Sequence, residues 1–172
     1  MNLIIEDGQG IPDANAYVSL SSALAYIPAH LIAEWTALSD DERIDRLIIA
    51  SQFIDTTFNW IGNRKSLEQG LNWPRINVIY QGFAVPCDTI PKQIKRAVIM
   101  ALLIILRDGI AVFMSTADAP VKREKFAVME TEYFSLVEAG KHVTVYDDIN
   151  NLLKGLYIMP SSGVMTAEVL RR

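Results

Sequence analysis

Residues 60–75, from Trp60 to Arg75, read W-I-G-N-R-K-S-L-E-Q-G-L-N-W-P-R. The stretch lies between two strongly apolar segments with helical spacing and is itself no regular element. Gly62 and Gly70 supply backbone freedom, and Trp73 is held extended because the residue before a proline is pushed out of the helical region. Yet the stretch also carries two tryptophans (Trp60, Trp73), a leucine pair (Leu67, Leu71) and three cations (Arg64, Lys65, Arg75). That content predicts an ordered loop, its rings pinned on the flanking helices and its basic groups turned to a partner or to solvent.

On the N-terminal side, Ser39-Asp40-Asp41-Glu42 is a capping box, and its acids also suit the positive end of a helix. The helix it starts places Ile44, Leu47, Ile48, Ser51, Ile54 and Phe58 on one face, with Asp45, Arg46, Gln52 and Asp55 largely elsewhere. Further back, Ser19 is a good N-cap for a first helix with Leu20, Leu24, Ile27 and Leu31 roughly on one face. Pro28 breaks or kinks that helix, since it removes a hydrogen bond and clashes with the preceding turn. The chain opens with a β-like Leu3-Ile4-Ile5, then E-D-G-Q-G-I-P-D-A-N, whose composition is that of a solvated turn. Glu6, Asp7, Asp13 and Asn15 miss the alternating pattern of a calcium loop. Gly8 and Gly10 lack the strand-then-helix context of a nucleotide loop.

On the C-terminal side, Ile76–Tyr80 and Phe83–Val85, joined through Gln81-Gly82, form a small hairpin or an irregular excursion. Pro91 sits in the first turn of a third helix reaching about Arg107, where its missing N–H costs nothing. That helix carries Lys92, Lys95 and Arg96 early and then A-V-I-M-A-L-L-I-I-L, so it is apolar all round. It is the centre of a bundle or packs on a neighbouring subunit. Asp108-Gly109 ends it, and Ser115–Pro120 reads as loop. Val121–Phe134 reads as an extended arm or a charge-rich edge strand. After a turn at Gly140, Asp147 caps a last short helix, Ile149–Leu156. The predicted fold is mainly α: a small bundle of about four helices with a long ordered loop, a short β-like arm and an extended C-terminal tail. The division is one helical domain over residues 1–158, with loop 60–90 and arm 121–146, and a tail over 159–172 that orders only against a partner.

The 172 residues suffice for one domain with a real core, and 51% apolar with 21% charged residues is a globular composition. A mean hydropathy of +0.20 calls for a generous core or for apolar surface covered by other subunits. The net charge of -4 weighs against a protein whose main work is holding nucleic acid. Cys87 is the one cysteine, so no disulfide framework or cysteine metal site is expected. The start lacks the basic region of a signal peptide. The apolar run Ala97–Leu106 is about half of the roughly 20 residues of a membrane span. These features describe a soluble intracellular protein.

No motif calls for catalysis, a cofactor or a metal. His30 and His142 are far apart and outside any ligand spacing, no serine lies in G-x-S-x-G, and no phosphate loop is present. Asp40-Asp41 and Asp147-Asp148 are explained as helix starts. The cations Arg64, Lys65, Arg75, Lys92, Lys95 and Arg96, with Trp60 and Trp73 nearby, have the aromatic-plus-basic grammar of single-strand binding. Solvated helix ends with packed tryptophans, or a protein–protein surface anchored by Trp and Arg, are the readings composition favours over nucleic acid.

The segments I-I-E-D-G-Q-G-I-P-D-A-N-A-Y-V-S (residues 4–19), Trp35, the 60–75 motif and I-P-K-Q-I-K-R-A (90–97) closely resemble a family from tailed bacteriophages and prophages. Its signature is E-D-G…A-N-S-Y-V-S, then W-x-G-x-R-x-S-x-x-Q-x-L-x-W-P-R, then I-P-x-x-(I/V)-K-x-A. V-K-R-E-K at 121–125 is also similar, and Ala16 stands where the family tends to serine. Members are often labelled "DnaT-like single-stranded DNA-binding protein", and similar proteins are placed in the virion neck as head–tail connector (adaptor) subunits. The resemblance, weighed with the acidic charge and the over-apolar third helix, implies a connector. Such a subunit forms a dodecameric ring docked under the portal and meets a downstream neck or tail-terminator protein. Double-stranded DNA passes through its lumen without sequence-specific binding. On that reading Trp60, Arg64, Gln69, Trp73 and Arg75 anchor the loop or an interface. Met159, Val164, Met165, Val169, Leu170, Arg171 and Arg172 of the tail meet the portal or a neighbour, and the protein resides in the virion neck, or in the host cytoplasm during assembly. The alternatives are a single-stranded DNA-binding accessory of phage replication and another neck ring, a stopper or tail terminator.

Overall fold

A first helix, α1 (Leu20–Leu24), starts at Ser19, whose hydroxyl accepts from the Ser22 N–H at 3.1 Å. In this computed structural model residues 2–110, 121–125, 130–133 and 143–158 are described, with backbone alone for 121–125, 130–133 and 143–146. The single helix expected from Leu20 to Leu31 is split at Pro28, which leads into one 3-10 turn (Ala29–Leu31) and then α2 (Ile32–Ala37). Ile27 and Leu31 are buried, but Leu24 points out, 48% exposed, because the chain has turned before it can share their face. The short α2 buries Trp35, and the Arg43 guanidinium lies 5.7 Å over that ring while donating to the Trp35 carbonyl.

The long helix α3 (Asp40–Thr57) begins with both halves of the capping box, the Glu42 N–H on Ser39 Oγ and the Ser39 N–H on Glu42 Oε2. Leu47, Ile48, Ser51, Ile54 and Phe58 are buried as their spacing predicts. Asp55 is buried too, contrary to its placement off that face: beside Ile54 it turns toward the 60–75 loop, where polar partners receive it.

One strand pair closes the loop, and two further pairs and two helices follow among the described residues. The strands β1 (Asn63–Arg64) and β2 (Arg75–Ile76) pair antiparallel, closing the loop on itself. A hairpin follows, β3 (Ile79–Tyr80) with β4 (Phe83–Ala84), placing Tyr80 opposite Phe83. Its turn residues Gln81 and Gly82 both have positive φ (50° and 85°), as a type I′ turn requires. Helix α4 (Lys92–Asp108) follows Pro91, and from Ala97 to Leu106 every residue is buried or half-buried. It is the centre of the domain, packed between α3 and a last helix, α5 (Val143–Leu153). Gly109, at φ 86°, ends α4. The charge-rich arm is a hairpin of β5 (Val121–Lys125) with β6 (Glu130–Tyr133).

Helix α5 corrects two boundaries. It starts at Val143, so Asp147 lies inside it rather than at its cap, and the β-like arm does not reach 146. The β-formers Val143 and Val145 carry only a weak local preference. Burial of Ile149, Leu153 and Leu156 at helical spacing overrides it. The chain then pairs with the loop: Tyr157 bridges Trp60, the Ile61 N–H donates to the Leu156 carbonyl, and the Ile158 N–H to that of Asn59. The loop at 115–120, the turn at Gly140, His142 and the tail from 159 to 172 lie outside the described residues. The fold is a mainly helical small domain with small antiparallel strand pairs. Among the described residues no helix is long and apolar enough to cross a membrane.

Candidate functional site

The residues singled out in the 60–75 loop come together, but as a brace. Trp60 and Trp73 are buried edge to face, 5.9 Å between centroids, and Trp60 Nε1 donates to the Asp55 carbonyl. The Trp73–Pro74 peptide is cis. Arg75, 9% exposed, donates from Nε to the Ile61 carbonyl (2.7 Å), from Nη1 to Asn72, and from Nη2 to Gly62 (2.7 Å) and Trp60. Burial lowers its pKa. Arg64 donates to the carbonyls of Gln69 and Leu71, and buried Gln69 donates to those of Leu71 and Pro74. Lys65 Nζ reaches the Gly8 carbonyl at 2.9 Å. The three cations are therefore engaged by carbonyls of their own chain, Arg75 from a buried position and Arg64 from an exposed one. The physical reason is that the irregular backbone of this loop leaves carbonyls unpaired, and a guanidinium fork can satisfy several at once.

Behind the loop, the Tyr17 hydroxyl donates to Asp55 Oδ1, and the same carboxylate accepts from Asn72 N–H (2.8 Å) and Asn72 Nδ2 (3.0 Å). Burial pushes the Tyr17 phenol well above its ordinary range, and the Asp55 charge adds to that. Burial also raises Asp55, against the lowering effect of its hydrogen bonds. The opening turn is solvated only in part: Asp7, Gln9, Pro12 and Asp13 are exposed, but its centre is buried. Glu6 is fully buried and its carboxylate accepts from the N–H groups of Gly8 (2.8 Å), Gly10 (2.9 Å) and Ile11 (2.7 Å). Gly8, at φ +114°, lies so close to the chain at Asp88 that a Cβ would come within 2.0 Å of that carbonyl oxygen. These contacts hold the neighbouring Asp7 outward.

Asp7 stands at the edge of an open cleft of about 550 Å³. One wall is the β3–β4 hairpin. Tyr80 lies against Gly155, where a Cβ would meet its ring at 3.5 Å, while its cross-strand partner Phe83 is 78% exposed. The other wall is the start of α4, with Lys92, Gln93 and Lys95. The floor is apolar, formed by Val85, Ile90 and Leu156. Lys92 and Lys95 lie one helical turn apart, are exposed, and make no ion pair among the described residues. No carboxylate occupies the first turn of α4. Two cations against one carboxylate give the cleft a positive balance within an acidic chain.

Of the cations that the sequence grouped with Trp60 and Trp73, two meet other rings. Lys92 and Lys95 line the cleft, but the rings beside them are Tyr80 and Phe83, not the buried Trp60 and Trp73. Gln81-Gly82 is the hairpin joint expected from the sequence, but the aromatics that flank it, Tyr80 and Phe83, were not grouped with the cations. Arg96 is exposed but does not line the cleft, and His30 is an exposed surface residue. Among the described residues no group of three His, Cys, Asp or Glu could hold a metal ion.

A family model described as "Putative DnaT-like ssDNA binding protein" matches residues 1–172. The chain belongs to that family. No curated protein and no solved structure matches it. The match overturns the head–tail connector expectation, because the family is described by single-stranded DNA binding and not by a portal, a ring or a neck position. The partners drawn from that expectation (a dodecameric ring of itself, the portal, a downstream neck or tail-terminator protein, duplex passing through a lumen) fall with it. The weight placed on the net charge of -4 was misplaced: a whole-chain sum does not report the balance inside one cleft.

Proposed function

We propose that this chain binds single-stranded DNA without catalysis, through the cleft between the β3–β4 hairpin and the start of α4. The observation that carries the reading is Phe83, a large ring 78% exposed at the mouth of a cleft that also holds Lys92 and Lys95. An unpaired base has a free face to stack on such a ring, at about 1–3 kcal/mol per base. The paired bases of a duplex have theirs occupied. Tyr80, packed on Gly155, holds the hairpin in place while Phe83 remains available. The family's description supports the same reading, and a cytoplasmic place of action goes with it.

Two lysine–phosphate contacts give a salt slope of only about -1.4 in log–log terms, at roughly 0.7 per contact for single strands. The binding is then dominated by stacking, which suits a chain of net charge -4. The test is fluorescence anisotropy of a labelled oligonucleotide with wild type, Phe83→Ala and the double change Lys92→Gln, Lys95→Gln. Phe83→Ala should weaken binding by about 5- to 150-fold with an unchanged melting curve. The double lysine variant should flatten the salt slope. Wild-type affinity in Phe83→Ala would refute the reading.

A further inference from the structure

The cleft contains a charge that strand binding alone does not explain. Asp7 is an acid placed among groups that would meet a polyanion, and its position is not accidental. The buried Glu6 carboxylate, the Gly8–Asp88 approach and the Lys65 contact to the Gly8 carbonyl all fix the segment that carries it. Asp7 Oδ1 accepts from the Gln9 N–H at 3.0 Å, and a carboxylate has further acceptor capacity. Its carboxylate can only accept, and it lines the same cleft as Phe83, Lys92 and Lys95.

We propose that Asp7 reads the edge of the base stacked on Phe83, selecting bases with an exocyclic amino group over thymine. The inference rests on the single-strand reading above. On a base held with its 4-position toward Asp7, cytosine presents its N4 amino group as a donor, which a carboxylate accepts, whereas thymine presents the O4 carbonyl there and keeps its N3–H donor one ring position away. Opposite Asp7 that oxygen meets another acceptor and is repelled. With the phosphates on Lys92 and Lys95 and the ring on Phe83, the base edge is left to face the remaining polar lining, Asp7, Gln81, Thr89 and Gln93, of which Asp7 alone is an acid. Asp7 is a specificity-determining residue on this account, and Phe83 supplies affinity without choice, since every base has a π face.

The experiment measures binding of equal-length homo-oligonucleotides of deoxycytidine and thymidine, at mildly alkaline pH, to the full chain and to Asp7→Asn. Wild type should favour deoxycytidine by about tenfold. In Asp7→Asn, whose amide both donates and accepts, the ratio should fall to within about twofold while binding to thymidine tightens. Asp7 is exposed, so the substitution leaves the core untouched. Equal wild-type affinities would overturn the inference and leave strand binding standing. So would a tightening in Asp7→Asn that is the same for both strands, since that is what mere removal of a negative charge does. Absence of binding to either strand would overturn the single-strand reading and the base preference together.

Discussion

Replacing Glu6 by Gln changes one oxygen to an amide nitrogen at a fully buried position, and the hydrogen-bond pattern allows its cost to be worked out. Oε1 accepts from Gly8 and Gly10, and Oε2 from Ile11. If the glutamine oxygen keeps the first two, its NH₂ faces the Ile11 N–H, donor against donor. That N–H is then without a partner, at about 1–3 kcal/mol. The two bonds that remain lose charge assistance, about 1 kcal/mol each. The sum is about 3–5 kcal/mol. At about 2–4 °C per kcal/mol for a chain of this size, the smaller figure alone lowers Tm by roughly 6–12 °C. Thermal unfolding followed by tryptophan fluorescence measures it, with the exposed Asp13→Asn as a control expected to stay near wild type. A fall in Tm of less than about 2 °C would refute the claim that this carboxylate organises the N-terminal loop.

Arg75→Lys should lose about 2–3 kcal/mol in urea unfolding, because one ammonium cannot reach the four carbonyls that the guanidinium fork satisfies; stability within a few tenths of wild type would contradict the brace. Ser39→Ala should cost about 1 kcal/mol through loss of the α3 cap, with helical content by circular dichroism otherwise retained. Asp55 gives a pH signature. Its folded pKa is raised chiefly by burial, so the folded state holds that proton more tightly than the unfolded chain. Its contribution is fully present below the unfolded pKa and is lost as pH rises through the folded one. The stability gap between wild type and Asp55→Asn should therefore be most in favour of wild type in acid and shrink above the ordinary aspartate range. Urea melts at a series of pH values decide this, and a gap that widens with pH counts against it.

Local chemistry was legible. Ser19, Pro28, the 39–42 capping box, Pro91 and Gly109 each act within about a turn of their own position, and each falls where the sequence placed it. The all-round apolar run of α4 also declared its central place, because a helix with no polar face has no stable exposed orientation. What was not legible depends on residues far apart in the chain. Glu6 was read as part of a solvated turn because its partners are backbone N–H groups, which leave no mark on composition. Asp55 was assigned to the polar side because periodicity cannot show that Tyr17 and Asn72 wait there. The cleft is assembled from residues 7, 80, 81, 83–86, 89–93, 95 and 156, so neither spacing nor net charge announces it. The single-strand alternative was present in the sequence reading, but the global charge balance outweighed it there.

That assembly gives the cleft a place in time. Its rim comes from the seventh residue and part of its floor from Leu156, which is fixed only when Tyr157 bridges Trp60 and its neighbours zip onto Asn59 and Ile61. Until residues 155 and 156 are in place, Tyr80 has no Gly155 to rest on and the floor is incomplete. The cleft is thus complete only once the segment after α5 has closed on the 60–75 loop. Conversely, whatever loosens the α5 end loosens the cleft, because Leu156 lines it and Gly155 backs Tyr80.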